Sequence, residues 1–137
     1  MNKENKTKFS NVYEDTKRAE AYSKLKFDKT YYLAYRDLPT IITNHAQGNN
    51  ALDFGCGTGR STRFLQTLGY KTIGIDISEE MITIARQLDP EGEYHRIDDG
   101  DFNRFPASSF DLILSAFTFD NIPTMEKKIR LFNGLSK

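Results

Sequence analysis

The spacing of hydrophobic and polar positions changes several times along this 137-residue chain, and the changes divide it into elements. Residues 1 to 10 are polar and predict a frayed or disordered N-terminus, followed by one domain over 11 to 137. Val12 to about Lys26 carries a weakly amphipathic helical pattern. From Tyr31 to Ala46 the helical pattern is clearer: Tyr32, Tyr35, Leu38, Ile41, Ile42 and His45 recur at helical spacing, and Pro39 either kinks the segment or opens a second helix. Asn50 to Phe54 (N-A-L-D-F) reads as a short apolar strand and runs into a glycine cluster. Helical spacing then returns over Arg60 to Leu68, with Phe64, Leu65 and Leu68 on one face and Gly69 as the stop. Lys71 to Ile75 (K-T-I-G-I) predicts a second strand that ends at Asp76. Ser78 is placed to cap a helix whose first turn holds Glu79 and Glu80 and whose inward stripe is Met81, Ile82, Ile84, Ala85 and Leu88. Pro90 and Gly92 end it. Glu93 to Ile97 is a weaker third strand, and Phe110 to Ser115 (F-D-L-I-L-S) a fourth, apolar enough to be central. Thr124 caps a last helix bearing Ile129, Leu131, Phe132 and Leu135. Strands alternating with helices predict an α/β fold with a parallel sheet and right-handed crossovers.

Composition narrows the possible partners. Lys and Arg number 19 and Asp and Glu also 19. A chain of zero net charge lacks the excess of cations needed to make a nucleic-acid backbone its main ligand. No apolar run approaches the ~18 residues of a membrane span, and the opening M-N-K-E-N-K-T-K has no apolar secretory core, so a cytoplasmic protein is expected. The single Cys56 cannot close an internal disulfide, and one Cys with two His does not make a zinc set. Residues 1 to 29 lean basic and Asp76 to Asp111 leans acidic, which suits either a cationic small ligand or a solvated acidic face.

Chemistry concentrates in L-D-F-G-C-G-T-G-R, Leu52 to Arg60. Gly55, Gly57 and Gly59 follow a strand and precede a helix, so a ligand can approach the main chain with no Cβ in its way. Asp76 ends the next strand about twenty residues on, where a carboxylate can accept both ribose hydroxyls. The spacing departs from the dinucleotide fingerprint G-x-G-x-x-G, whose third glycine falls at position 60, where this chain has Arg60. Asp53, just before the first glycine, would repel a pyrophosphate and attract an ammonium or sulfonium group. The expected ligand is cationic rather than phosphorylated.

These residues resemble the class I S-adenosylmethionine-dependent methyltransferases, particularly those acting on small molecules, over residues 18 to 137. Asp53, Gly55, Gly57 and Gly59 match that family's acidic-x-G-x-G-x-G motif, with Cys56 touching the cofactor through its backbone. The resemblance further implies that Asp76 holds the ribose and Ile77 packs on adenine. Asp99 with Gly100 would meet the adenine amino group, with Asp98 as the fallback. Ser115 and Ala116 would lie near the methionine moiety, and Tyr22 of the lid-like R-A-E-A-Y would reach the cofactor. It implies a Rossmann-like three-layer fold with N-terminal helices and sheet order 3-2-1-4, S-adenosylmethionine as cofactor with S-adenosylhomocysteine as product, and methyl transfer to a small-molecule acceptor. A catalytically incomplete cofactor-binding module is the alternative.

The family continues into a fifth strand, usually announced by K-P-G-G, and a final antiparallel pair, whereas this chain stops at Lys137. The fourth strand is therefore expected to be an exposed apolar edge, which predicts a homodimer or swapped oligomer. Methyl transfer from a sulfonium relies on proximity and alignment, so no conspicuous triad is required. Asp120 is the weak candidate for a catalytic base, with His95 behind it; both have structural explanations, a turn and a strand position. His45 reads as a helix-end residue. Phe117 and Phe119 are candidates to face the sulfonium or to pack in the core. The segment S-A-F-T lacks the N-P-P-Y type of sequence that adenine-methylating enzymes carry, which disfavours a DNA adenine acceptor.

Overall fold

The computed structural model describes residues 29 to 137. The helix expected over Val12 to Lys26, the frayed N-terminus and Tyr22 lie outside the described residues. Two short helices, α1 (Lys29–Arg36) and α2 (Leu38–His45), lead into the sheet. Pro39 occupies the first turn of α2, where its missing N–H has no intrahelical partner to lose, so it opens a second helix rather than kinking one.

The next elements alternate as the periodicity requires: β1 (Asn50–Phe54), α3 (Arg60–Thr67), β2 (Lys71–Asp76), α4 (Glu79–Leu88), β3 (Glu93–Arg96), β4 (Leu112–Leu114), a 3-10 turn (Phe119–Asn121) and α5 (Met125–Leu135). All strand pairs are parallel and the order is β3-β2-β1-β4. Leu52 stands opposite Ile73 on one side and Ile113 on the other. The Ser78 hydroxyl accepts from the Met81 amide (3.3 Å) and the Thr124 hydroxyl from that of Lys127 (3.2 Å), so both expected caps form.

Side chains on β1 alternate between two faces, and this parity positions the site. Leu52 and Phe54 join Ile75, Ile97 and Leu131 in a core beneath α5, while Ala51 packs with Ile42 and Leu65 beneath α2 and α3. Asp53 shares the Ala51 face and so points toward α3.

Three apolar expectations differ from the structure. Leu88 is 51% exposed, because α4 ends there and its last turn runs past the sheet. On α5 only Leu131 is buried, whereas Ile129 and Phe132 are more than half exposed, since the helix rests on the sheet by one narrow stripe. β4 is shorter than Phe110 to Ser115, while its place at the sheet edge among the described residues is the expected one. Before the strand, the Asp111 carboxylate turns back to accept from the Asn49 and Asn50 amides at 3.1 and 3.0 Å, tying the base of β4 to β1. No helix among the described residues is long and apolar enough to cross a membrane.

Candidate functional site

The carboxyl ends of β1, β2 and β4 open onto a cavity of about 370 Å³. Its floor is the first half of the glycine loop. The Gly55 and Cys56 amides donate to the Ile75 carbonyl at 2.9 and 3.0 Å, pinning the loop to β2. Gly55 has φ +74°, and a Cβ there would collide with the Thr118 side chain, which is packed against the loop from the β4 side. The Thr118 hydroxyl lies 3.2 Å from the Phe54 carbonyl and 3.4 Å from that of Gly55. Gly59 has a different reason to lack a side chain: a Cβ would sit 2.7 Å from the Tyr94 hydroxyl. It serves packing behind the loop and does not line the cavity.

Asp76 occupies the tip of β2 on the cavity wall. Its Oδ2 accepts from the Gly57 amide and its Oδ1 from the Ser78 amide, both at 2.9 Å. These bonds fix the carboxylate plane and leave further lone pairs free to accept. Burial pushes its pKa above the ordinary carboxylate value, opposed by the amides of Ser78, Gly57 and Ile77. Ile77, Met81, Ile97 and Leu131 make the apolar part of the wall, and Asp99 and Gly100 stand at the far end. Asp98 is turned outward onto Arg96 (2.9 Å) and is absent from the wall, so of the two acids the geometry brings Asp99 to the cavity.

The segment after β4 closes the other side through Ala116, Phe117 and Thr118. Phe117 has φ +58°, a left-handed conformation costing ~1 kcal/mol or more for a non-glycine residue. Phe119, by contrast, packs on Phe54 with ring centroids 5.7 Å apart.

Several expected contacts are not brought to the cavity. Asp53 is fully buried under the loop, where its Oδ2 accepts from the Ser61 (2.5 Å) and Thr62 (2.7 Å) hydroxyls and its Oδ1 has no partner. Strand parity aims it at α3, so it fastens the loop to the helix and does not line the cavity. Burial raises its pKa from 3.8 to about 6, with the Ser61 and Thr62 hydroxyls opposing and the Asp76 charge adding to the rise. Cys56 is buried behind the loop and its thiol pKa is pushed well up by desolvation. Ser115 is aimed away, its hydroxyl buried without a partner. Asp120 is exposed in the 3-10 turn; its neighbour Asn121 lines the cavity instead. His95 faces outward and pairs with Glu93 at 2.8 Å. Among the described residues no group of three His, Cys, Asp or Glu side chains converges to hold a metal.

Sequence reasoning missed Met81, Arg96, Asn121, Ile122, Pro123, Lys127 and Leu131 on the wall. Only the helical stripe of Met81 and Leu131 carried a signal, and that signal reads equally as core.

The family model for the methyltransferase domain matches residues 52–135 of this chain. An uncharacterised methyltransferase of Bacillus cytotoxicus is 35% identical over 100 residues, covering 72% of this chain and 46% of the relative. Among solved structures, a SAM-dependent methyltransferase of Methanosarcina mazei is similar at a TM-score of 0.61 and 28% identity, over 69% of this chain and 50% of that one. DesVI of Streptomyces venezuelae is similar at 0.67 and 25% identity, over 88% of this chain and 51% of that one. The chain therefore belongs to the class I S-adenosylmethionine-dependent methyltransferase family. It spans about half the length of the curated relatives it matches.

Proposed function

We propose that this chain binds S-adenosylmethionine in the cavity above the glycine loop and forms the cofactor-holding part of a methyltransferase that acts on a small-molecule acceptor. The observation that carries the reading is Asp76, held by the Gly57 and Ser78 amides and facing the same cavity as Asp99. Asp76 would accept from the ribose hydroxyls. Ile77, Met81, Ile97 and Leu131 offer apolar faces for a purine. The glycine loop between Gly55 and Gly57, with Ala116 opposite, leaves room for the amino-acid end. S-adenosylmethionine, when bound, supplies a methyl group on a sulfonium whose departing form is a neutral thioether. The chain's own task is then to hold, align and desolvate, and the left-handed Phe117 beside Thr118 presents an aromatic residue at the open side of the cavity.

A second reading is favoured by one observation: neither Asp120 nor His95 faces the cavity, so among the described residues no proton acceptor of the expected kind stands beside it. On that reading the chain alone binds cofactor without transferring a methyl group. Calorimetric titration with S-adenosylmethionine, S-adenosylhomocysteine and NAD separates the possibilities. Both adenosyl ligands should bind and NAD should not, and Asp76→Ala should weaken S-adenosylhomocysteine at least about tenfold, the loss of hydrogen bonds to a charged acceptor. Affinity unchanged within about twofold would remove the assignment. Methyl transfer to a panel of small acceptors then distinguishes enzyme from binding module.

A second copy of the chain is the partner we propose for the β4 edge. Ile113 is 37% exposed there, beside an open groove of about 510 Å³ lined partly by Phe102, Phe105, Phe110 and Leu135.

A further inference from the structure

Lys127 is a charged cavity residue that the reading above leaves without a task. It lies in the first turn of α5 and lines the cavity, and its ammonium touches Oδ2 of Asp99 from across the gap between α5 and the β3–β4 connection. Local helix energetics do not explain a lysine there. It is the third helical residue after the Thr124 cap, a position where the helix dipole disfavours a cation and where a capping box would place a carboxylate. Its helical neighbours at three and four residues' distance are Thr124, Pro123, Arg130 and Leu131, none of them acidic. Asp99 is thus the acid within its reach, on the wall that also holds Ile97 and Leu131.

A carboxylate beside an ammonium presents an acceptor next to a donor. Adenine presents the complement, since its 6-amino group donates and the ring nitrogens flanking that position accept. We propose that Lys127 is a specificity-determining residue of the cofactor site and reads the 6-aminopurine edge jointly with Asp99: Asp99 accepts from the amino group and Lys127 donates to the neighbouring ring nitrogen N1. The inference rests on the reading that the adenosyl group enters with its ribose at Asp76. With the sugar anchored there, the order of acceptor and donor along the far wall is fixed. A 6-oxopurine then sets a carbonyl oxygen against the Asp99 carboxylate and a protonated N1 against the Lys127 ammonium, and loses affinity.

The test titrates S-adenosylhomocysteine and its 6-oxo analogue, S-inosylhomocysteine, into the wild-type chain and into Lys127→Met, Lys127→Arg and Asp76→Ala, with circular dichroism to verify folding. Wild type should prefer the adenosyl ligand about tenfold or more. Lys127→Met should weaken that ligand about tenfold while leaving the 6-oxo analogue within about twofold, so that the preference falls to what Asp99 alone supplies, and Lys127→Arg should restore much of it. Overturning results are an unchanged preference in Lys127→Met, or tighter adenosyl binding, which would make Lys127 a plug on Asp99. If Asp76→Ala weakens binding and Lys127→Met does not, the cofactor-site reading survives and this inference falls. If the folded wild type binds neither ligand, both fall.

Discussion

Asp53→Asn removes one ionisation from beneath the glycine loop, and its consequence can be worked from the structure. The wild-type carboxyl is fully buried, accepts two hydroxyl bonds at Oδ2 and lacks a partner at Oδ1. Desolvation dominates, so its pKa rises from 3.8 to about 6 in the folded chain. Between those values the folded state holds a proton that the unfolded state has released. The group's contribution to stability is therefore fully present below the unfolded value and is lost as pH rises through the folded one. The rise corresponds to ~3 kcal/mol. An amide oxygen can still accept from Ser61 and Thr62, whereas the amide nitrogen meets the unpartnered position of Oδ1, a cost of ~1 to 3 kcal/mol that does not vary with pH. The Asp76 pKa is also raised, giving a slope of the same sign that is largely common to both proteins. Urea unfolding followed by far-UV circular dichroism from about pH 4 to 7.5 yields the stability of the variant minus that of wild type. That difference should climb with pH by most of ~3 kcal/mol, whatever its value at the acid end. A difference constant to within ~0.5 kcal/mol over that range would refute a buried, strained ionisation at Asp53.

Gly55→Ala should destabilise by ~2 kcal/mol or more in the same urea assay, because the added Cβ meets Thr118 and the backbone stays left-handed. It should also weaken adenosyl binding; a variant as stable as wild type would show that the loop shifts freely. For the β4 edge, sedimentation equilibrium should find concentration-dependent self-association in wild type, and Ile113→Lys should move the chain toward monomer. A wild type that stays monomeric at high concentration contradicts the edge proposal.

The glycine loop, Asp76 and the alternation of strands and helices were legible without coordinates because each is a local property. Turn conformation, capping and hydrophobic period depend on residues a few positions apart. Even the bounds of β1 follow from N-A-L-D-F. The site itself was only half legible. Asp76 sits where spacing along the chain sends it, at the tip of β2, and Asp99, placed by the family resemblance alone, lies on the cavity wall in the loop after β3. Asp53 was expected at a ligand because of its charge, whereas its parity on β1 turns it toward the Ser61 and Thr62 hydroxyls. Asp120, the weak catalytic candidate, is exposed, and its neighbour Asn121 is the residue that lines the cavity.

The chain's order of residues alone determined the element sequence, the glycine loop after β1 and the carboxylate at the tip of β2. Only the tertiary structure decided which acids meet the cavity and which support it, that Lys127 crosses from α5 to Asp99, and that Leu88, Ile129 and Phe132 stay exposed. The physical reason is range. Helical period and turn chemistry act over a few residues, whereas the meeting of α5 with the β3–β4 connection depends on how far the helix settles onto the sheet, a balance struck by the whole Phe54, Ile75, Ile97 and Leu131 core.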